Sequence, residues 1–376
     1  MTDTTHATFR PAELADFLFR VITKATGLRR LVPMIWGEPG IGKTDIVKQT
    51  AERAAEHHKM EFAGDWLSHM ANGGDHENVY GVIDMRTADK ESIDLRGLPQ
   101  IVKAIAGEGD QVSYAAPVYL PRVGQGVFLL DEAFQGPQGT VHCATQIMRD
   151  NRVGEHVIPD GWRVIAASNK ASHRAGANRP MTHTASSLIH VEMAPDHNDW
   201  LRWALQAGVR HECISYIRSA PQDLHKFDPK DTDHTFPCPR TWAMVSDILD
   251  CEPPAETHLI EFGGTIGVGV GANFAAHVGM IATLPDLDGI LLNPDTADIP
   301  EEPSAMFAVA TGLARKANAG NFDRVITYTD RLANHPKGGR DFQVLTVRDA
   351  CALAKAEVMD TSAFQKWAID NSDIVI

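Results

Sequence analysis

The 376-residue chain lacks any run of about 18 apolar residues, the length a helix needs to cross a bilayer. No membrane span is therefore expected. Met1 to Phe9 are polar and lack the apolar stretch of a secretory leader. Cysteine is sparse, with five residues at 143, 213, 238, 251 and 351 and no CxxC pair. An odd count at irregular spacing argues against a disulfide scaffold or a structural zinc site, and it fits a reduced compartment. Basic charge is in the minority, 35 Lys and Arg against 49 Asp and Glu, for a net charge of −14. That disfavours a basic nucleic-acid binder, and no stretch interleaves aromatic and basic residues as strand binding requires. Internal repeats and low-complexity tracts are missing too. The expectation is a soluble, cytoplasmic protein.

The rest of the composition is ordinary, 43% hydrophobic and 22% charged, and the length suggests two or three domains. Helical spacing of Leu14, Phe17, Leu18 and Val21 places a helix over 12–22. The apolar run Leu31–Trp36 reads as a strand, then comes a glycine-rich turn, then a helix from Lys43 to about His57. Four more strand-like runs follow, at 82–85, 127–130, 164–167 and 188–191, mostly separated by helical stretches. Short apolar strands alternating with helices predict a parallel sheet covered on both faces. The stretch 61–79 reads as an insertion beyond that core. After Pro195 the pattern turns helical, over 199–207, 212–217, 241–249 and 258–262, and Pro294, Pro300 and Pro303 punctuate an acidic linker before further helices.

The chemistry is concentrated in three places. Gly37, Glu38, Pro39, Gly40, Ile41, Gly42, Lys43 and Thr44 match G-x-x-x-x-G-K-[ST] in full. Main-chain amides of such a turn wrap nucleotide phosphates at a helix start, a lysine reaches the β/γ oxygens, and a threonine hydroxyl can ligate Mg²⁺. A chance glycine-rich turn competes, but a strand precedes this one and a helix follows it. Second, the apolar run 127–130 ends in Asp131-Glu132, putting two carboxylates at the sheet edge where ligands of such folds sit. Asp131 would hold the Mg²⁺ shell, and Glu132 would orient or deprotonate a water. Two solvated acids capping a strand are the alternative. Third, Asn169 ends the run 163–168, where its amide could position that water, although Ser-Asn also favours a plain turn.

On these residues the chain resembles the AAA+ ATPases, and more narrowly the MoxR-like branch. The resemblance covers roughly 30–250 and rests on GEPGIGKT (37–44), DLRGLP (94–99), GVFLLDEAFQGPQGTVHCATQIMRDNRVGE (126–155), RVIAASN (163–169) and FPCPRTW (236–242). It implies an α/β P-loop core with a five-stranded parallel sheet over 31–194, after a lead-in helix in 1–30. It also implies an α-helical lid at 195–292, a linker at 293–303 and a helical extension at 304–376. The cofactors implied are ATP and Mg²⁺. Asn169 matches the family's first sensor and Arg240 its second, a lid arginine touching the γ-phosphate. Segments near 89–121 and 152–162 match two inserts that face a pore or a partner. The assembly implied is a ring, usually a hexamer. The client implied is a protein remodelled or activated by ATP turnover, often one with a von Willebrand factor A-type domain. One position departs from the pattern: Ser187 stands where the family's trans-acting arginine is expected, leaving Arg179 or Arg174 as substitutes. An ATP-binding scaffold with little turnover and a nucleic-acid-linked AAA+ protein are the competing functions.

Weaker signals point elsewhere. The run Gly267-Val-Gly-Val-Gly271 lacks the βα context of a dinucleotide loop, so close helix packing is expected there. His69, Asp75 and His76 fit no common zinc spacing and read as an exposed loop. His190 reads as a core or edge histidine, and Trp200 and Trp203 as helix core.

Overall fold

A computed structural model describes residues 8–24, 31–103, 109–169, 182–230, 234–284 and 286–372. The chain forms two compact units, divided between Asp196 and His197.

The first unit is built on a parallel sheet. Its strands are β1 (Thr8–Phe9), β2 (Pro33–Trp36), β3 (Glu61–Ala63), β4 (Val79–Arg86), β7 (Gln125–Asp131), β10 (Trp162–Ser168) and β11 (Ile189–Met193), in the order β1-β11-β2-β10-β7-β4-β3. The five strands legible from the sequence are β2, β4, β7, β10 and β11. The sheet nevertheless has seven strands, not five. The two additions lie at its edges, and at two and three residues they are too short to carry an alternation signal.

Side-chain alternation divides the core into two layers. Met34, Phe128, Leu130, Val164 and Ala166 face one side, with α5 (Gln138–Asp150) supplying Val141, Ala144 and Ile147. Ile35, Val127, Leu129, Ile165 and Ala167 face the other, against α1 (Pro11–Lys24) and α2 (Lys43–His58). The 61–79 stretch belongs to this core. It carries β3 and α3 (Trp66–Ala71), and Trp66 is buried edge-on to Trp162 with ring centroids 5.3 Å apart. Glycine is required on the facing strand, because a β-carbon at Gly81 would lie 2.5 Å from the Trp66 ring. His190 accepts a 2.9 Å hydrogen bond from the Trp36 indole N–H, which fixes Nδ1 as the unprotonated nitrogen.

Two antiparallel hairpins leave the sheet. After α4 (Ser92–Arg96), β5 (Leu98–Lys103) pairs with β6 (Asp110–Ala115), and β8 (Arg152–Val153) pairs with β9 (His156–Val157). They are tied together. One Glu155 carboxylate oxygen accepts from the Ser113 hydroxyl at 2.8 Å and from the Tyr114 amide at 2.6 Å, and the His156 ring meets the Arg96 carbonyl at 3.1 Å.

Among its described residues the regular elements of the second unit are all helices. Its first part comprises α7 (His197–Gln206), α8 (His211–Ser219), α9 (Pro239–Asp250), α10 (His258–Ile266) and α11 (Val268–Ile281). They enclose a core of Trp200, Ile214, Trp242, Phe262 and Phe274. Two of the 267–271 glycines are required by the backbone. Gly267 breaks α10 from α11 at φ 82°, and a β-carbon on Gly271 would lie 2.5 Å from the Gly263 nitrogen. The second part comprises α12 (Leu287–Leu292), α13 (Pro303–Lys316), α14 (Phe322–Ala333), α15 (Arg340–Met359) and α16 (Ser362–Asp370). A buried ion pair from Arg218 on α8 to Asp349 on α15, with Thr311 on α13 also bonded to Arg218, fastens the two parts together. Among the described residues no helix is long and apolar enough to cross a membrane.

Trp66→Ala should cost about 3–5 kcal/mol of stability, as emptied aromatic sites in cores do. Urea unfolding measures this, and a loss below ~1 kcal/mol would show that 61–79 is not integral to the core.

Candidate functional site

All seven strands are parallel, so their C-terminal ends lie on one edge of the sheet. β2 and β7 flank β10, and the register sets Trp36 beside Ser168, with Ala166 beside Leu130. The three segments that leave these strands are the 37–44 turn, Asp131-Glu132 and Asn169. Topology alone therefore gathers residues that are far apart in the chain.

The turn itself is shaped by glycine. Gly40 and Gly42 have φ of 75° and 92°, left-handed values that a side chain disfavours. A β-carbon at Gly37 would crowd the turn, falling 2.7 Å from the end of the Ile41 side chain and 3.0 Å from the Met193 carbonyl oxygen. The helix α2 then starts at Lys43 with Gly42 as N-cap and no side-chain cap, so no N-cap side chain covers its first amides.

Lys43 is buried, and its ammonium is held by oxygens. It donates to the carbonyls of Gly37 at 3.1 Å and Glu38 at 2.7 Å, and to the Asn169 amide oxygen at 2.9 Å. Thr44 donates its hydroxyl to Asp131 Oδ2 at 2.7 Å. The other carboxylate oxygen, Oδ1, accepts the Glu132 amide at 2.8 Å. Lys43, Thr44, Asp131, Glu132 and Asn169 thus form one constellation. Burial raises the Glu132 carboxyl above its ordinary value of 4.5, and the Asp131 charge beside it adds to the effect.

The constellation suits a magnesium–nucleotide ligand on its own geometry. Left-handed glycines and uncapped helix amides suit phosphate oxygens. A hydroxyl and a carboxylate 2.7 Å apart are the hard oxygen donors that Mg²⁺ takes.

Arg240 is exposed in the first turn of α9, in the second unit. Ser187 is exposed on the turn between α6 (Thr182–Ala185) and β11, and its amide donates to the Thr184 carbonyl at 3.0 Å. Arg174 and Arg179 fall outside the described residues. His69 meets the Asp75 carbonyl at 2.7 Å, and no metal-binding cluster occurs among the described residues. Sequence reasoning missed Thr87. It is wholly buried just past β4 and donates its hydroxyl to the Glu132 carbonyl at 2.5 Å. A single threonine after a strand gives no pattern to find.

No family model matches the chain, and no curated protein matches it. Solved structures it is similar to include NtrX from Brucella abortus in complex with ADP, at 12% identity over 93% of this chain and 69% of that one, TM-score 0.35. Another is a DNA polymerase III gamma subunit-related protein from Thermotoga maritima, at 9% identity over 96% of this chain and 97% of that one, TM-score 0.33. Likeness this slight carries no argument about function.

Lys43→Ala removes the one buried ammonium in the turn. It should weaken ATP binding roughly 10–100-fold, the worth of a charged hydrogen bond of ~1.5–3 kcal/mol. Equilibrium titration with a fluorescent ATP analogue checks this, and unchanged affinity would remove the turn from the binding site.

Proposed function

We propose that the chain is an ATP hydrolase of the AAA+ type, MoxR-like, that couples nucleotide turnover to remodelling or activation of a partner protein. The observation that carries this reading is the convergence of Lys43, Thr44, Asp131, Glu132 and Asn169 at one sheet edge.

In this reading the 37–44 amides and Lys43 bind and neutralise the β- and γ-phosphates. Thr44 and Asp131 would hold Mg²⁺, which when bound draws charge from the phosphate oxygens. Glu132 takes a proton from the attacking water, and its raised carboxyl lies closer to neutral pH than an ordinary glutamate, as suits a base. Asn169, already bonded to Lys43, orients that water. Arg240 acts as the lid sensor, and Arg179 or Arg174 supplies the charge that Ser187 lacks. The assembly is a homo-oligomeric ring, a hexamer by family resemblance. The two hairpins support a partner-facing role: Leu98, Ile101, Val112, Tyr114 and Val157 are exposed on them, an uncommon concentration of apolar side chains in water. The client proposed is a protein with a von Willebrand factor A-type domain.

A second reading, an ATP-binding scaffold with little turnover, is favoured by one observation. Ser187 cannot neutralise transition-state charge, and in other NTPases an arginine finger contributes about 10³–10⁵ in rate.

Glu132→Gln separates the two readings. It should bind ATP as tightly as the wild type while losing about 10²–10⁴ in kcat, the usual contribution of a general base. Phosphate release per subunit measures this. Equal rates in the two proteins would favour the scaffold. The pH dependence follows from the raised carboxyl. The base form is lost as pH falls through it, so the acid limb of kcat should lie above 4.5. A rate flat down to that pH would take Glu132 out of the reaction.

A further inference from the structure

Glu132 adopts φ 53°, the left-handed region, where its β-carbon crowds the neighbouring carbonyl and which non-glycine residues seldom occupy. Such a conformation persists only where its surroundings over-determine it. Here every polar group of the Glu132 backbone is committed. Its amide donates to Asp131 Oδ1 at 2.8 Å. Its carbonyl accepts from the Gln135 amide at 2.8 Å and from the Thr87 hydroxyl at 2.5 Å. The next amide, Ala133, donates to the Ala167 carbonyl at 3.0 Å, two residues before Asn169.

Among these contacts the Thr87 hydroxyl is the one made by a side chain from another strand end. It also lies 3.3 Å from the Asp131 carbonyl, so its single proton is shared between the carbonyls of both acids. Register makes this possible: Arg86 pairs with Asp131 across β4 and β7, which sets Thr87 opposite Glu132. Thr87 is itself fixed. Its own carbonyl accepts from the Lys90 amide at 3.3 Å, and Gly136 approaches so closely that a β-carbon there would lie 2.4 Å from that carbonyl oxygen.

We propose that Thr87 is a positioning residue for the reaction assigned to this site: its buried hydroxyl clamps the Glu132 peptide in the left-handed turn and so aims the Glu132 carboxylate. The proposal rests on the hydrolase reading above. The backbone torsions of Glu132 set the direction of its Cα–Cβ bond, so a turn relaxed to an unstrained conformation swings the carboxylate away. A misplacement of about 1 Å is enough to cost roughly 10²-fold in rate.

The test compares Thr87→Val, which keeps the shape and removes the proton, with Thr87→Ser, which keeps the hydroxyl. Thr87→Val should bind ATP with wild-type affinity, because it leaves the 37–44 turn untouched, and should lose about 10²-fold in kcat. Thr87→Ser, which keeps the hydroxyl that clamps the Glu132 carbonyl, should restore the rate. Wild-type turnover in Thr87→Val overturns the clamp and leaves the hydrolase reading standing. Should Thr87→Val fail to fold, the serine variant decides: a rate as low as that of Glu132→Gln, in a protein that still binds ATP, overturns the clamp. A wild-type chain that binds ATP but releases no phosphate overturns the hydrolase reading, and the clamp with it.

Discussion

The 2.7 Å hydrogen bond from Thr44 to Asp131 is the contact on which the site depends. It joins the first turn of α2 to the end of β7. Asp131 is nearly buried and divides its two oxygens between that hydroxyl and the Glu132 amide, so one carboxylate holds both the turn that follows β2 and the peptide of its neighbour. A buried charge is tolerated when it is hydrogen-bonded in this way. Lys43, held by three oxygens close by, gives the site its opposite charge.

None of this is local. The turn and the acid pair come from strands that are not neighbours, and β10 between them brings Asn169 to the same edge. Parallel pairing is what makes the arrangement possible, since it sends every strand end the same way. The apolar alternation of β2, β7 and β10 therefore does more than build a core. A slip of one residue in β7 would reverse its faces and turn Asp131 away from Thr44.

Much of this was legible in the sequence, for identifiable reasons. The 37–44 pattern is local and its spacing is fixed by the turn, so it could be read residue by residue. The central strands β2, β7 and β10 carry continuous apolar runs, because both of their faces are covered, whereas Asp84 interrupts β4 and His190 and Glu192 alternate with apolar residues in β11. The edge strands β1 and β3 were not legible, being two and three residues long and held by pairing rather than by pattern. Trp66 looked like part of an insertion because its partners, Gly81 and Trp162, lie far along the chain. The helix α11 was hidden by its glycines, which weaken helical preference; one of them, Gly271, is needed for its close approach to α10. Thr87 was invisible for a similar reason: its role lies in one hydroxyl opposite one carbonyl, 45 residues away.

The most direct measurement is a structure of the Glu132→Gln chain with ATP and Mg²⁺. The account requires the triphosphate within the 37–44 turn and the metal about 2.1 Å from the Thr44 hydroxyl oxygen, with Asp131 in its coordination sphere. A nucleotide bound elsewhere, or a metal away from both Thr44 and Asp131, would contradict it.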